Sequence, residues 1–284
     1  MKNEFKTEPL SEILGIKVKG LDLRNALDNK IKYKLQKLLA EYCVLCLPNQ
    51  DLSAEDQIRF ANIFGRADSE RRPKSTGDLK KSAKRGVMFV SNIRENGVPI
   101  GSLPDGEMQF HSDGAHRQFP YRATTLYGIK IPSKGGNTMF SNLQAAYDAL
   151  SPTIKDQIKN LKTQTVYDYT AQNRETIGAD PILPRAQHEL IKVHPVTGRK
   201  SIYVSRLMTE KIVGMDPDQS ENLLGQLFDH AEKPEFIYSH KWSPGDLIIW
   251  DNRSTNHART DFPAEEQRLL RRYTVSDPDS PLGN

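Results

Sequence analysis

Three side chains that bind transition metals stand out in this sequence: His111 and Asp113, separated by Ser112, and His257 far downstream. Residues i and i+2 of an extended strand point to the same side, so His111 and Asp113 can reach one ion while Ser112 points away. Two imidazoles and one carboxylate cover one face of an octahedral ion and leave other positions open, as in non-heme Fe(II) oxygenases. Zinc is the competing interpretation, because similar ligand sets also occur in hydrolytic sites.

Two arginines follow His257 at a spacing that suits a bound carboxylate. In the run Arg268-Leu269-Leu270-Arg271-Arg272, positions 268, 270 and 272 would share one face of a strand. A planar guanidinium binds a carboxylate through two parallel hydrogen bonds, so Arg268 and Arg272 are suitable counter-groups for a dicarboxylate cosubstrate. The alternative for this segment alone is a basic edge strand that faces water.

Together these residues resemble the taurine dioxygenase and 2,4-dichlorophenoxyacetate dioxygenase family of 2-oxoglutarate-dependent oxygenases. The resemblance extends through residues 132–138, 193–200 and 242–253 and covers nearly the whole chain. Position by position, it implies Fe(II) ligands at His111, Asp113 and His257, a clamp for the distal carboxylate of 2-oxoglutarate at Thr138 and Arg268, and a contact to the substrate's anionic group or to the keto-acid end of the cosubstrate at Arg272.

The same resemblance implies the fold and the reaction. The fold would be mainly β with flanking helices, a double-stranded β-helix of the jelly-roll, cupin-like kind. The reaction would consume O2 and 2-oxoglutarate, release succinate and CO2, and hydroxylate an unactivated C–H bond of a small molecule. Desaturation or oxidative rearrangement by the same chemistry stays open, as does a binding module that holds metal without catalysis. A homo-oligomer, either dimer or tetramer, is also expected.

The residues around the first metal ligands bear on the substrate. Glu107 stands where taurine dioxygenase has an asparagine that helps to bind the sulfonate, and a carboxylate there would repel a sulfonate. Glu107 would suit an amine or a hydroxyl, so taurine is not the expected substrate; the alternative is a salt bridge to Arg122 or to another basic neighbour. His116 is expected to line the substrate pocket, to lie behind the metal ligands, or to be exposed to water in a loop.

Composition excludes several other classes of protein. The 284 residues, 37% hydrophobic and 27% charged, suffice for one domain over 1–284 with a sizeable core. No apolar run could span a membrane, no secretory signal is visible, and the cytoplasm is the expected location. A net charge of +4 without a recognition motif argues against nucleic acid. Cys43 and Cys46 form a C-x-x-C in an apolar strand, which favours buried core residues over a redox pair.

Periodicity and turn residues locate the secondary structure. Helices are expected at 28–41, from Ser53, within 142–161 and over 218–231. Strands are expected at 87–90, 124–131, 163–167, 190–193, 201–204, 246–250 and 270–275. Segments 66–86 and 168–188 lack core residues or periodicity and are expected to be mobile loops at the mouth of the site. His194 is expected to be structural, and His188, His230 and His240 to lie at the surface.

Overall fold

The protein is built on two facing β-sheets, of which the larger has eight strands. The computed structural model describes residues 5–67, 87–102, 106–168 and 174–277. The large sheet has the order β1-β2-β3-β17-β9-β19-β4, with β5 also paired to β19. Its strands are β1 (Lys6–Pro9), β2 (Ile16–Lys19), β3 (Val44–Leu47), β4 (Arg66–Ala67), β5 (Met88–Ser91), β9 (Ala123–Lys130), β17 (Leu247–Asp251) and β19 (Leu269–Ser276).

The small sheet lies against one face of the large sheet and has the order β16-β10-β18-β8. Its strands are β8 (Met108–His111), β10 (Thr138–Asn142), β16 (Ile237–His240) and β18 (Thr255–Arg259). Phe140 of β10 packs in one cluster with Leu126, Ile248, Trp250 and Leu270 from three strands of the large sheet. This apolar layer joins the two sheets, as expected for a double-stranded β-helix.

Two helices cover the outer face of the large sheet. They are α1 (Asn29–Tyr42) and α2 (Ala54–Ala61). Along β17, Leu247 and Ile249 pack towards these helices, whereas Ile248 and Trp250 pack towards the small sheet. The strand is therefore buried on both faces, which explains its continuous apolar sequence.

A second apolar layer lies beside the small sheet and contains three helices. They are α3 (Leu143–Ala149), α4 (Pro152–Ile158) and α5 (Pro217–Ala231). Their buried faces share one cluster with residues of the neighbouring strands. The remaining strands are β6 (Arg94–Glu95), β7 (Val98–Pro99), β11 (Lys162–Val166), β12 (Arg185–Glu189), β13 (Ile191–Val193), β14 (Lys200–Ile202) and β15 (Thr209–Ile212), and 3-10 turns occupy Arg174–Thr176 and Pro234–Phe236.

Each predicted helix and strand has a counterpart in the structure, with bounds shifted by one to a few residues. Of the two loops expected to be mobile, 66–86 lies outside the described residues except for Arg66 and Ala67. In the other, the described part includes the turn Arg174–Thr176 and the start of β12. No helix in the described ranges is long and apolar enough to cross a bilayer.

Two of the three histidines assigned to the surface are instead buried. His188 is 7% exposed and His240 5%. A ring nitrogen of His188 donates to the carbonyl of Ala115 at 2.7 Å, and Nε2 of His240 pairs with Asp246 at 3.1 Å. The surface assignment was wrong because these hydrogen bonds replace the contacts with water that burial removes.

His194 is buried, and its imidazole makes structural hydrogen bonds. Its Nε2 donates to Asp251 at 3.1 Å, while Nδ1 accepts from the backbone N–H groups of Val196 and Thr197. The imidazole therefore fixes the turn between β13 and β14 to the end of β17. Both cysteines are also buried and free, as predicted.

Candidate active site

The two histidines of the predicted metal site lie directly opposite each other on neighbouring strands. β8 and β18 pair so that His111 and His257 are Cα partners, and their ring centroids are 4.1 Å apart. Asp113 follows the end of β8, and the ligand atoms of all three residues lie within 4.8 Å of one another. Strand pairing thus brings together residues that are far apart in the sequence.

Asp113 is positioned by a turn rather than by the strand alternation expected from the sequence. β8 ends at His111, and Asp113 begins a turn in which Gly114 has φ +73°. Glycine adopts this left-handed conformation without the strain that a Cβ would cause. The hydroxyl of Ser112 donates to the carbonyl of Asn252 at 2.8 Å and holds the chain between the two ligands.

Burial prepares both imidazoles to bind a metal, and a hydrogen bond also orients the ring of His111. Nδ1 of His111 lies 2.9 Å from the Gln109 carbonyl and donates to it, which leaves Nε2 as the lone-pair nitrogen. Burial lowers the pKa of His111, and burial together with the nearby His111 lowers the pKa of His257 to about 3. Both rings are therefore neutral near pH 7, the form in which imidazole ligates metals.

Asp113 is ionised although it is buried. Nη2 of Arg272 lies 2.6 Å from its Oδ1, and the Thr124 hydroxyl donates to its Oδ2 at 2.6 Å. Burial opposes ionisation, but Arg272 and then His257 outweigh it and hold the pKa of Asp113 well below its usual range. Two neutral imidazoles and one carboxylate are a donor set that fits a divalent transition metal.

A second cluster of metal-ligating side chains is explained by its own hydrogen bonds. Ligand atoms of Cys46, His240 and Asp246 also lie within 4.8 Å of one another. Nε2 of His240 pairs with Asp246, and its Nδ1 is 2.9 Å from the Tyr238 hydroxyl. Burial raises the pKa of Cys46 to about 12, so its thiol stays protonated. Tyr238, His240 and Asp246 therefore satisfy one another, and the protonated thiol of Cys46 is a poor metal ligand.

Arg268 is the buried cation that the cosubstrate hypothesis requires. It is 2% exposed, and its Nε and Nη2 donate to the Gly136 carbonyl at 3.2 and 3.1 Å. Its Nη1 is buried and has no hydrogen-bond partner in the described part of the chain. Burial, followed by the charge of Arg259, lowers the pKa of Arg268 to about 9. A buried guanidinium with an unsatisfied N–H fits an anionic ligand.

Thr138 lies at the start of β10, two residues after Gly136. Its Oγ1 accepts a hydrogen bond from the indole N–H of Trp242 at 3.0 Å. Because an indole only donates, the Thr138 oxygen serves as the acceptor and its hydroxyl proton can be donated elsewhere. Thr138 and Arg268 would thus both offer donors to one carboxylate.

Arg259 was missed by the sequence analysis although it follows His257 by two residues on β18. It is 7% exposed, and its Nε and Nη2 donate to the carbonyl of Gly106 at 3.1 and 2.7 Å. Its position i+2 from a metal ligand on a strand was the available signal. This guanidinium fixes the segment that leads into β8 and adds positive charge near Arg268.

The three residues expected to contact substrate differ in burial and in their contacts. Arg272 points to Asp113 and so borders the metal site. His116 is half-buried, with its ring centroid 4.7 Å from that of Tyr167. Glu107 is exposed just before β8, and the ion-pair partner of Arg122 is Asp277 at 3.6 Å. Among these three residues, Arg272 is in direct contact with a candidate metal ligand.

Comparison with known proteins agrees with this geometry. The model of the Taurine catabolism dioxygenase TauD, TfdA family matches residues 6–274. The chain is 32% identical to (S)-phenoxypropionate/alpha-ketoglutarate-dioxygenase of Sphingobium herbicidovorans over 95% of this chain and 94% of that protein. It is 35% identical to pentalenolactone F synthase of Streptomyces arenae, again over 95% of this chain and 94% of that protein.

Solved structures give the same result. A crystal structure of AAD-2 in complex with Mn(II) and N-oxalylglycine superposes with a TM-score of 0.81 at 29% identity and covers 99% of each chain. A taurine dioxygenase from Burkholderia xenovorans has a TM-score of 0.79, also at 29% identity, over 99% of this chain and 94% of that one. The chain therefore belongs to the TauD, TfdA family and is an alpha-ketoglutarate-dependent dioxygenase with the double-stranded β-helix fold.

Proposed function

We propose that this enzyme hydroxylates an unactivated C–H bond of a small molecule that carries an anionic group, with Fe(II) held by His111, Asp113 and His257. The observation that carries the metal assignment is the convergence of these three buried ligand groups within 4.8 Å. The Mn(II) in the related AAD-2 structure supports a divalent metal in this fold. When bound, iron, 2-oxoglutarate and O2 supply the oxidation and release succinate and CO2.

The residues of the chain bind and orient 2-oxoglutarate and keep water away from it. Thr138 and Arg268 would hold the distal carboxylate of 2-oxoglutarate, and His111, Asp113 and His257 would hold the metal that binds its keto-acid end. The N-oxalylglycine in the AAD-2 complex, a dicarboxylate, supports this arrangement. Burial of Arg268 strengthens its interaction with an anion, because water does not screen the charge there.

Arg272 selects an anionic substrate. Its guanidinium is 2.6 Å from Asp113 and therefore borders the position where a substrate carbon would react. Two groups of relatives are named for phenoxypropionate and 2,4-dichlorophenoxyacetate, which both carry a carboxylate. Glu107 is exposed and His116 half-buried, so we place them at the rim of the pocket, where Glu107 would disfavour taurine's sulfonate.

In the first experiment, metal-free protein is titrated anaerobically with Fe(II) and then with 2-oxoglutarate. The visible absorption spectrum is recorded during both titrations. Chelation of the keto acid to iron gives a weak metal-to-ligand charge-transfer band, which we expect in the wild type. Arg268→Met keeps an unbranched side chain that fits the buried position of the arginine stem but removes its donors. We expect this variant to need about a hundredfold more 2-oxoglutarate for the same band, because two charge-assisted hydrogen bonds are lost.

Arg271→Met is the matched control. Arg271 is the adjacent buried arginine, but it contacts Gln57 at 2.7 Å and the Leu52 carbonyl on the helix-covered face of the sheet. The folded protein should therefore bind 2-oxoglutarate as the wild type does. Fe(II) binding without the band in the wild type would contradict the cosubstrate assignment, and equal 2-oxoglutarate affinity in Arg268→Met would contradict the role of Arg268.

A substrate screen decides the remaining chemistry. Phenoxypropionate, 2,4-dichlorophenoxyacetate and taurine are added with 2-oxoglutarate, and succinate formation is compared with and without Arg272→Ala. Carboxylates should stimulate turnover in an Arg272-dependent manner. Mass spectrometry of the product then separates hydroxylation, which adds one oxygen atom, from desaturation, which removes two hydrogen atoms; the pentalenolactone F synthase relatives keep oxidative rearrangement open.

Self-association is a separate part of this proposal. We infer a dimer or tetramer from membership of the family. Size-exclusion chromatography with light scattering gives the mass directly. A mass of 32.2 kDa, that of one chain, would contradict the expected oligomer.

A further inference from the structure

A buried chain of hydrogen bonds ends on the carboxylate of Asp113. The Trp250 indole donates to Oδ1 of Asn252 at 2.9 Å, and Nδ2 of Asn252 donates to Oγ1 of Thr124 at 3.1 Å. The Thr124 hydroxyl then donates to Oδ2 of Asp113 at 2.6 Å. Thr124 and Asn252 are completely buried, and Trp250 is 1% exposed.

The direction of every bond in this chain is determined by its first member. An indole N–H can only donate, so the group of Asn252 that faces Trp250 is its carbonyl oxygen. The amide nitrogen of Asn252 must then face Thr124 and donate to it. Since a donor already occupies the Thr124 oxygen, the single hydroxyl proton points to Asp113. A flipped Asn252 amide would place its NH2 group against the indole N–H and lose both hydrogen bonds.

The fold brings these residues together through strand pairing. Thr124 on β9 and Trp250 on β17 are Cα partners, and both face the layer between the two sheets. Asn252 lies in the turn after β17, where its carbonyl also accepts from Ser112. One asparagine therefore fixes both the main chain beside Asp113 and, through Thr124, its carboxylate.

We infer that Thr124 is a positioning residue for the metal site, and that Asn252 and Trp250 act through it. The inference rests on the proposed role of Asp113 as a metal ligand. Arg272 pairs with Oδ1 through a positive charge that a bound metal would oppose, whereas Thr124 donates a neutral hydroxyl to Oδ2 and fixes the orientation of the carboxylate before metal arrives. Donors to a ligating carboxylate typically change metal affinity or activity by about 10- to 100-fold when removed.

Two substitutions distinguish a positioning role of Thr124 from a purely structural one, because the two roles predict opposite orders of their effects. Thr124→Val keeps the β-branched shape and volume but removes the hydroxyl, whereas Thr124→Ser keeps the hydroxyl and removes a methyl group. If Thr124 only fills space between the sheets, Val is the milder change. If it positions Asp113, Ser is the milder change for metal binding.

The full-length protein is titrated with Co(II) alone, without 2-oxoglutarate. The d–d absorption of the bound ion is recorded at each step, and its increase gives the dissociation constant. We expect Thr124→Val to raise the dissociation constant by about 10- to 100-fold and to alter the spectrum. Thr124→Ser should stay within about threefold of the wild type, with the same spectrum.

Thr125→Val is the matched control. Thr125 is the next residue of β9 and is 1% exposed, but it faces the opposite side of the sheet, where its hydroxyl donates to the Tyr273 carbonyl at 3.0 Å. It loses a buried hydroxyl of the same kind on the same strand. Its Co(II) affinity and spectrum should match those of the wild type even if its thermal stability falls.

The outcomes separate this inference from the proposed function. A wild type that does not bind Co(II) contradicts the metal assignment itself. Co(II) binding in the wild type with equal affinity in Thr124→Val, or a larger loss in Thr124→Ser than in Thr124→Val, overturns the role of Thr124. If Thr124→Val does not fold, Asn252→Leu removes the amide donor to Thr124 and leaves the contact of Trp250 with His257, and a wild-type spectrum and affinity in that variant would overturn the inference.

Discussion

Nη2 of Arg272 lies 2.6 Å from Oδ1 of Asp113, so the carboxylate expected to ligate the metal is already paired with a guanidinium. Arg272 is 17% exposed at its side chain and Asp113 is 5% exposed. Removal of one partner from a buried ion pair leaves a charge without compensation. The ion pair therefore links the stability of the metal-free protein to the occupancy of the metal site.

Arg272→Ala should destabilise the metal-free protein by about 3 kcal/mol and should make it more responsive to metal. Mn(II) would then restore a positive charge beside Asp113 and stabilise the variant more than it stabilises the wild type. Denaturant unfolding with and without saturating Mn(II) measures both effects. Arg271→Ala is the control: it should lose stability through its contacts to α2 but show the wild-type response to Mn(II). Equal responses in all three proteins would mean that Arg272 and metal binding are independent.

Gly136→Ala tests the support of Arg268. Gly136 has φ +64°, its carbonyl accepts two donors from Arg268, and a Cβ there would lie 3.1 Å from the Arg268 Nε. A side chain at this position would strain the backbone by about 1 kcal/mol and displace the guanidinium. We expect the KM for 2-oxoglutarate to rise about tenfold, which corresponds to about 1.4 kcal/mol.

Gly198→Ala is the matched control for this change. Gly198 has φ +70°, so alanine meets similar backbone strain, but a Cβ there would contact nothing within 4 Å. Its KM for 2-oxoglutarate should equal that of the wild type. A rise of the same size in both variants would show that general destabilisation, rather than displacement of Arg268, causes the effect.

Local sequence signals predicted the secondary-structure elements that are stabilised by contacts between residues close in the sequence. The capping box at Ser53 and Asp56 is present, with each side chain bonded to the other residue's backbone N–H. The four strands of the small sheet were not among the strands predicted from periodicity, because several of them carry polar side chains of the candidate site. In β18, Thr-Asn-His-Ala-Arg places polar side chains where a simple core strand would have apolar ones. The motif resemblance, not periodicity, located His257.

The contacts around the ligands could not be predicted because they depend on long-range pairing. Thr124 and Asn252 are 128 positions apart and meet only because β9 pairs with β17. Likewise, His111 and Asp113 were expected to lie on one strand and point to the same side, but β8 ends at His111. Residue types and spacing identify the ligands, whereas the sheet register determines which neighbours orient them.

Cys43 and Cys46 should be unreactive in the folded enzyme. Both are 1% exposed, and burial raises the pKa of each thiol to about 12. Thiolate is the reactive form, so a disulfide reagent should modify neither residue in native protein and both after denaturation. The release of the chromogenic thiol measures this directly. Rapid modification of both thiols without denaturant, or an intramolecular disulfide detected by mass, would instead support a redox pair.

His188 should make the protein less stable below neutral pH. Burial, followed by the charge of Lys192, lowers its pKa to about 4, and a ring nitrogen donates to the Ala115 carbonyl. The unfolded chain has a histidine pKa near 6.5, so between these values the unfolded state binds more protons. The contribution of neutral His188 is therefore complete above about pH 6.5 and is lost as the pH falls towards about 4.

His188→Gln isolates this contribution. Glutamine can donate an amide N–H to Ala115 but does not titrate, so it removes the pH dependence and keeps the hydrogen bond. Between about pH 7.5 and pH 4.5, the wild type should lose roughly 2 to 3 kcal/mol more free energy of unfolding than the variant. Denaturant titrations at several pH values test this, and the two proteins should run parallel above about pH 7. Parallel curves over the whole range would mean that His188 is already protonated in the folded state or exposed to water.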